Sequence, residues 1–268
     1  LWSVNKNYND IVNEVNISKI IKPGYIESVL KGAMSTGSWG MKNNASKQGV
    51  SQVLNRLTFM STLSHTRRIS TPIDNSGKLI PPRKLHPTTW GYICPTETPE
   101  GHAVGVVKNL AMISEITLKT NSEPITSLIY RYIINLSSIN IITFNKNSFV
   151  KVFVNGKYLG FTEDPQKIVD NIKDNRSNGI IHIHTSVYWC IEENFIQIWS
   201  DEGRLVRPLL KVKDNKLIYD ENIKNKLKKN DYSYHDLVLS NNSEACIEYI
   251  DPYETNNILI STYIKDIN

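Results

Sequence analysis

The sequence predicts a multidomain α+β protein, and three observations carry that prediction. At 268 residues the chain suits one large domain or two to three small ones, since domains run to roughly 100–200 residues. Its hydrophobic fraction of 40% and charged fraction of 21% are those of folded proteins. Helical periodicity marks the first third of the chain, whereas short, turn-bounded apolar runs take over after Lys151.

Residues 8–34 read as a helix in two pieces, interrupted at Pro23-Gly24. A polar loop, STGSWGMKNNASKQG, follows. Val50, Val53, Leu54, Leu57, Met60 and Leu63 then recur at the spacing of one helix face, predicting an amphipathic helix. Gln52, Asn55, Arg56 and Thr62 fall off that stripe and are left to meet a partner. The helix should fray near His65 and deliver Arg67 and Arg68 into a loop. Asp74-Asn75-Ser76-Gly77 is a turn signal. Pro81-Pro82 and Pro87 should hold the return path extended, so that Lys78, Arg83 and Lys84 project on a stiff base.

After Lys151, VFVNGKYLGF reads as a hairpin about Asn155-Gly156. Asp164-Pro165 opens a helix that Gly179 closes. VYWCIEE, FIQIWSDEG and RLVRPLLKV are three strand-like runs, which together predict a compact α+β module. A Lys/Asn-rich linker over residues 213–231, a short helix near Tyr234–Leu239 and two strands within CIEYIDPYETNNILIST complete the chain. No internal repeat is found, and the Asn-rich stretch 135–148 reads as a variable loop.

Charge is concentrated in one place. Between Lys42 and Trp90 lie eight of the 31 basic residues and one of the 26 acidic ones. The remainder of the chain carries 23 basic and 25 acidic residues. A basic segment of this kind is the footprint of a polyanion contact, because Lys and Arg displace counterions from phosphates. A solvated face paired with acidic residues elsewhere is the competing explanation.

Several chemistries find little support. No window approaches 18 apolar residues, so no membrane span is expected. Cys94, Cys190 and Cys246 lie far apart without metal-ligand spacing, which argues against a zinc site or a disulfide framework and fits an intracellular compartment. Glu97 and Glu100 in PTETPEG could divide acid and base roles, but the flanking prolines and glycine favour a structural role in a rigid turn. His182 and His184 alternate as on a strand, yet lack a third ligand nearby. His65 and His86 bracket the basic loop as scaffold. NSGK lacks the upstream glycine of a phosphate-binding P-loop. Among these residues there is no self-sufficient active site.

The stretch GVSQVLNRLTFMSTLSHTRRISTPIDNSGKLIPPRKLHPTTWGYICPTETPEGHAVGVVKNLAMIS closely resembles the fork region of the second-largest, β-type subunit of multisubunit DNA-directed RNA polymerases. Upstream, YIESVLKGAMSTGSWG resembles the end of the protrusion. VFVNGKYLGFTEDPQKIVDNIKDNR and FIQIWSDEGRLVRPLL resemble the first external domain, and DLVLSNNSEACIEYIDPYETNNILIST the second. The resemblance implies a protrusion end over 1–40, a fork over 41–120, a connector over 121–148, external domains over 149–212 and 232–268, and a linker over 213–231.

The resemblance further implies that this is a piece of a longer polypeptide, a fragment or the product of a split gene, and that it cannot polymerise alone. Residues 35–48 would form a first fork loop near the upstream edge of the hybrid, and residues 74–84 a second at the downstream edge of the bubble. Gln52, Asn55, His65, Arg67, Arg68 and Ser70 would line the RNA–DNA hybrid channel, joined by Lys78, Arg83 and Lys84 as nucleic-acid contacts. Arg83 and Glu97 would sit near the nucleotide-addition site. Mg²⁺ would be held by the largest subunit, and no catalytic or metal-binding residue is implied in this segment. Expected partners are the largest and smaller polymerase subunits, template DNA, the hybrid and NTPs. A eukaryote-like fork joined to short loops and a composition rich in Asn, Ile and Lys, which have A/T-rich codons, is similar to that of large cytoplasmic DNA viruses, with a protist or plasmid-borne polymerase as the alternative source. The expected location is a viral factory or virion, otherwise the nucleus. A non-catalytic nucleic-acid-binding or assembly module derived from the same subunit is the alternative.

Overall fold

A computed structural model describes residues 21–39, 49–71, 73, 79–134, 149–240 and 245–267. The chain divides into two units, residues 1–78 and 79–268.

In the first unit, helix α1 spans Pro23–Thr36. Pro23 therefore opens a helix, as its preset φ permits, where an interruption was expected; the upstream piece lies outside the described residues. The Gly37 carbonyl accepts the Val50 N–H at 3.0 Å, and Trp39 Nε1 donates to Ser51 Oγ at 3.2 Å, which joins the end of α1 to the next segment.

The helix expected over Val50–Leu63 is not formed. Helix α2 is confined to Phe59–Thr66, and residues 52–56 carry no regular structure. Local side-chain bonds explain the difference. Thr58, at φ −141° and ψ 163°, forms a reciprocal capping box with Ser61 and fixes the helix start. Asn55 Oδ1 takes the Leu57 N–H at 3.1 Å, a turn that competes with helix. Burial offers no counterweight, since Val53 and Leu57 are 95% and 88% exposed. Strand β1, Arg68–Ser70, follows α2 directly, where a loop was expected.

In the second unit, Pro81–Arg83 and Pro87–Thr89 form single 3₁₀ turns. Both were expected to be extended; proline's fixed φ serves a first helical position equally well. The turn Asp74–Gly77 lies outside the described residues. Tyr92–Cys94 runs beside Asn109–Ala111, with the Cys94 N–H on the Asn109 carbonyl and the Ala111 N–H on the Tyr92 carbonyl; strand β2 is Val107–Asn109. Strand β3, Glu115–Ile116, and helix α3, Glu123–Ile129, follow.

A four-stranded sheet then forms from β4 (Val150–Val154), β5 (Lys157–Thr162), β6 (Ser186–Cys190) and β7 (Phe195–Trp199). Its order is β5-β4-β7-β6, with β4 and β7 parallel. The β4–β5 turn places Asn155 and Gly156 at φ 48° and 77°, the left-handed pair that a tight hairpin requires. Alternate residues Val150, Val152 and Val154, with Val187, Ile196 and Ile198, point to one face. There they bury against Ile168, Val169 and Ile172 of helix α4 (Pro165–Ser177) and against Ile125 and Ile129 of α3. This is the main core.

Strand β8 (Leu205–Leu210) was expected to belong with β6 and β7. It lies instead between β3 and β11 (Ile247–Ile250) in a second sheet ordered β11-β8-β3. Period-two patterning identifies a strand but carries no information on which distant strand it pairs with. The segment read as a linker contains a short hairpin, β9 (Val212–Lys213) with β10 (Lys216–Leu217), and helix α5 (Glu221–Lys228), capped by Asp220. Helix α6, Tyr234–Val238, matches expectation. Helix α7, Pro252–Thr255, succeeds β11. The second strand expected in NILIST is not formed, and Leu259 there is fully exposed. His182 and His184 sit in a turn closed by the Thr185 N–H on the His182 carbonyl, not on a strand.

Candidate nucleic-acid interface

In the first unit, α2 and β1 contribute to a polar groove of about 340 Å³ whose lining includes Gln52, Leu54, His65, Arg68 and Ser70. The alternation of β1 explains its membership: Arg68 and Ser70 are exposed on one face, and Ile69 between them is half-buried. Gln52, His65, Arg68 and Ser70 were all selected from sequence, and the fold brings these four together. Asn55 and Arg67 do not line the groove. Asn55 is framework, taking the Leu57 N–H on its side chain. Arg67 is the C-cap of α2, its N–H on the Leu63 and Ser64 carbonyls. Lys78 lies outside the described residues.

In the second unit, Arg83, Lys84 and Glu97 line a cavity of about 100 Å³ together with Cys94, Thr98 and Lys108. Arg83 does more than present charge. Its Nη1 donates to the His102 carbonyl at 2.6 Å and the Val104 carbonyl at 2.9 Å, and its Nε to the Leu79 carbonyl at 3.2 Å. The guanidinium thus clasps two loops by charge-assisted bonds. Gly105, at φ 69°, lets the Arg83 backbone approach so closely that any Cβ there would overlap it. Thr98 completes the PTETPEG turn, donating to the Val107 carbonyl at 3.0 Å and accepting the Gly105 N–H at 2.8 Å. The Glu97 carbonyl takes a bond from the buried Asn109 side chain at 3.3 Å. Glu100 does not reach the cavity, so the two carboxylates do not face a common space.

Among the charged residues lining this cavity, Arg83, Lys84 and Lys108 outnumber Glu97. The sequence reading missed Lys108, which lies beyond the basic window; only the pairing of residues 92–94 with 109–111 carries it there. Cys94 is a half-buried free thiol whose pKa is lowered by its hydrogen bond with the Thr96 hydroxyl. His86 is scaffold, its Nδ1 accepting the Thr88 N–H.

Away from both sites, His184 Nε2 lies 3.7 Å from Glu115 Oε2, and burial, His182 and Arg204 lower its pKa to about 4. Among the described residues no group of three or more His, Cys, Asp or Glu side chains could hold a metal ion, and no helix is long and apolar enough to cross a membrane.

Comparison with known proteins gives two family matches. Residues 52–116 match RNA polymerase Rpb2, domain 3, and residues 152–213 match RNA polymerase Rpb2, domain 4. The chain is 39% identical over 254 residues to DNA-directed RNA polymerase II subunit RPB2 of Encephalitozoon cuniculi. It is 38% identical over 260 residues to DNA-directed RNA polymerase II subunit 2 of Arabidopsis thaliana, and 38% identical over 261 residues to DNA-directed RNA polymerase subunit 2 of Acanthamoeba polyphaga mimivirus. These alignments cover 94%, 95% and 94% of this chain but only 22%, 21% and 21% of the relatives. The chain therefore spans about a fifth of the length of the curated relatives it matches.

Proposed function

The matched segments belong to the Rpb2 family, the chain corresponding to part of the second-largest RNA polymerase subunit, and on that premise we propose that the groove of the first unit holds an RNA–DNA hybrid during DNA-directed RNA synthesis. The observation that carries this reading is the convergence of Gln52, His65, Arg68 and Ser70 on one groove. Arg68 supplies a phosphate contact. Gln52 and Ser70 supply hydrogen bonds that do not discriminate sequence, as a channel that must pass any template requires.

The second unit's cavity lies near the nucleotide-addition site in this reading, with Lys84 and Lys108 facing triphosphate and Arg83 holding the walls. Such a segment contributes by positioning and charge. Mg²⁺ is the metal of this reaction, but one carboxylate among three cations is not a donor set for it. The ion belongs to the largest subunit in this reading. The complete protein would assemble with that subunit and smaller ones on template DNA and take NTPs as substrates. It would act in a nucleus or, in a viral source, in a factory or virion.

The test is Arg68→Gln in the full-length subunit assembled with its partners, with transcript retention measured against salt. Losing one phosphate contact lowers the slope of log affinity against log salt by about 1. An unchanged slope contradicts the assignment of Arg68, and a correctly assembled enzyme without RNA synthesis favours the non-catalytic module.

A further inference from the structure

His65 stands at the groove, yet its two ring nitrogens turn inward. Nδ1 lies 3.0 Å from the backbone nitrogen of Asn55, and Nε2 lies 2.9 Å from Gln52 Oε1. A backbone N–H can only donate, so Nδ1 must be an unprotonated acceptor. The ring hydrogen then sits on Nε2 and is donated to Gln52. The rest of the network agrees with this tautomer. With its oxygen turned to His65, the Gln52 amide donates through Nε2 to the Gly49 carbonyl at 2.9 Å.

The same helix holds the other side of Asn55. Thr62 Oγ1, one turn before His65, lies 2.8 Å from the Asn55 carbonyl and 3.0 Å from the Thr58 carbonyl, and its single hydrogen favours the nearer acceptor, on Asn55. Both backbone polar groups of Asn55 are thus satisfied by α2 side chains. This straps the non-helical segment 52–55 along α2 and sets the Gln52 amide on the groove wall beside Arg68 and Ser70.

We propose that His65 is a positioning residue: a neutral imidazole that fixes the Gln52 side chain and the strap at Asn55, rather than a cation that touches phosphate. The consequence for hybrid binding rests on the function proposed above; the clamp itself does not. Two properties follow. A cationic replacement cannot substitute for His65, because it has no acceptor for the Asn55 N–H. His65 and Gln52 act as one unit, so removing both costs no more than removing either.

The experiment uses the full-length subunit assembled with its partners and reads two quantities. The first is hydrogen exchange of the peptide containing the Asn55 amide. His65→Ala should accelerate its exchange about tenfold, the scale of one lost hydrogen bond, whereas His65→Asn, whose Oδ1 can stand in for Nδ1, should retain most of the protection. Unchanged exchange in His65→Ala overturns the clamp.

The second is the half-life of a stalled transcript complex. His65→Ala, His65→Arg and Gln52→Ala should each shorten it about tenfold, and Gln52→Ala/His65→Ala no further. His65→Gln, which can still donate to Gln52, should recover part of the loss. Wild-type retention in His65→Arg, or a double variant that multiplies the single effects, overturns the positioning role and makes His65 a direct contact. If the wild-type complex holds no transcript, the polymerase reading fails, and exchange still decides the clamp.

Discussion

Arg176 on α4 and Glu254 on α7 form a bidentate ion pair shut away from solvent, with both nitrogen–oxygen distances at 2.9 Å and side chains 3% and 1% exposed. Arg176 Nη1 also donates to the Thr185 carbonyl at 2.8 Å, and Nη2 lies 3.2 Å from Glu248 Oε2. Beside it, Asp251 accepts from Ser186 Oγ at 2.6 Å and from Arg204 at 3.2 Å. Two modules that the sequence read as separate are therefore bolted together by buried charge.

Breaking that bolt from one side should be severe. Glu254→Ala leaves a guanidinium without its bidentate partner in the interior, and a loss of about 3–5 kcal/mol is expected. Denaturant unfolding of the full-length subunit measures it; a loss within the range of an ordinary surface substitution would mean that water reaches the pair.

Arg83 joins loops as well as lining the cavity, so its removal should loosen structure as well as lower activity. Lysine keeps the charge but not the fork. Arg83→Lys should raise hydrogen exchange over residues 101–106 while global stability changes by less than about 3 kcal/mol. Unchanged exchange there would show that the three carbonyl bonds do not hold the loop.

Gly105→Ala adds a Cβ against the Arg83 backbone at a left-handed φ. A cost of about 1–3 kcal/mol is expected, together with a distorted Arg83 clasp. A neutral thermal shift would contradict the close approach.

Stability should fall on mild acidification because His184 is held neutral. Its folded pKa, about 4, lies below the ordinary 6.5, so the unfolded chain binds more protons between those values. Its contribution is fully present above about pH 6.5 and is lost as pH falls toward 4. Among the described residues Glu115, His182, Arg204 and Tyr249, whose ring centroid lies 4.7 Å from that of His184, are charged or titratable neighbours. After discounting for its partial exposure the effect is about 2 kcal/mol. His184→Gln should flatten that part of the stability profile, and an unchanged profile would assign the acid sensitivity to other groups.

What the sequence made legible was local. Asn155-Gly156 named the β4–β5 turn because few backbones other than a tight hairpin need two left-handed residues in succession. Pro165 marked the start of α4 for a similar reason. The apolar stripe from Val50 to Leu63 misled because it assumed that periodic apolar residues are buried within this chain, and Val53 and Leu57 are not. The partners of β8, the entry of Lys108 into the cavity and the Arg176–Glu254 pair depend on residues far apart in sequence, which periodicity cannot register. Of the six residues that the resemblance assigned to a channel, Gln52, His65, Arg68 and Ser70 share one groove and Asn55 and Arg67 do not, and the bonds of both His65 ring nitrogens to Asn55 and Gln52 depend on a chain path that periodicity does not register.

The most direct measurement of the central claim is photocrosslinking from a transcript carrying 4-thiouridine within the hybrid, in the assembled full-length enzyme, with mapping of the labelled peptides. Crosslinks are expected within residues 49–70. Efficient crosslinking to the rest of the complex with none in that segment would contradict the claim that this groove holds the hybrid.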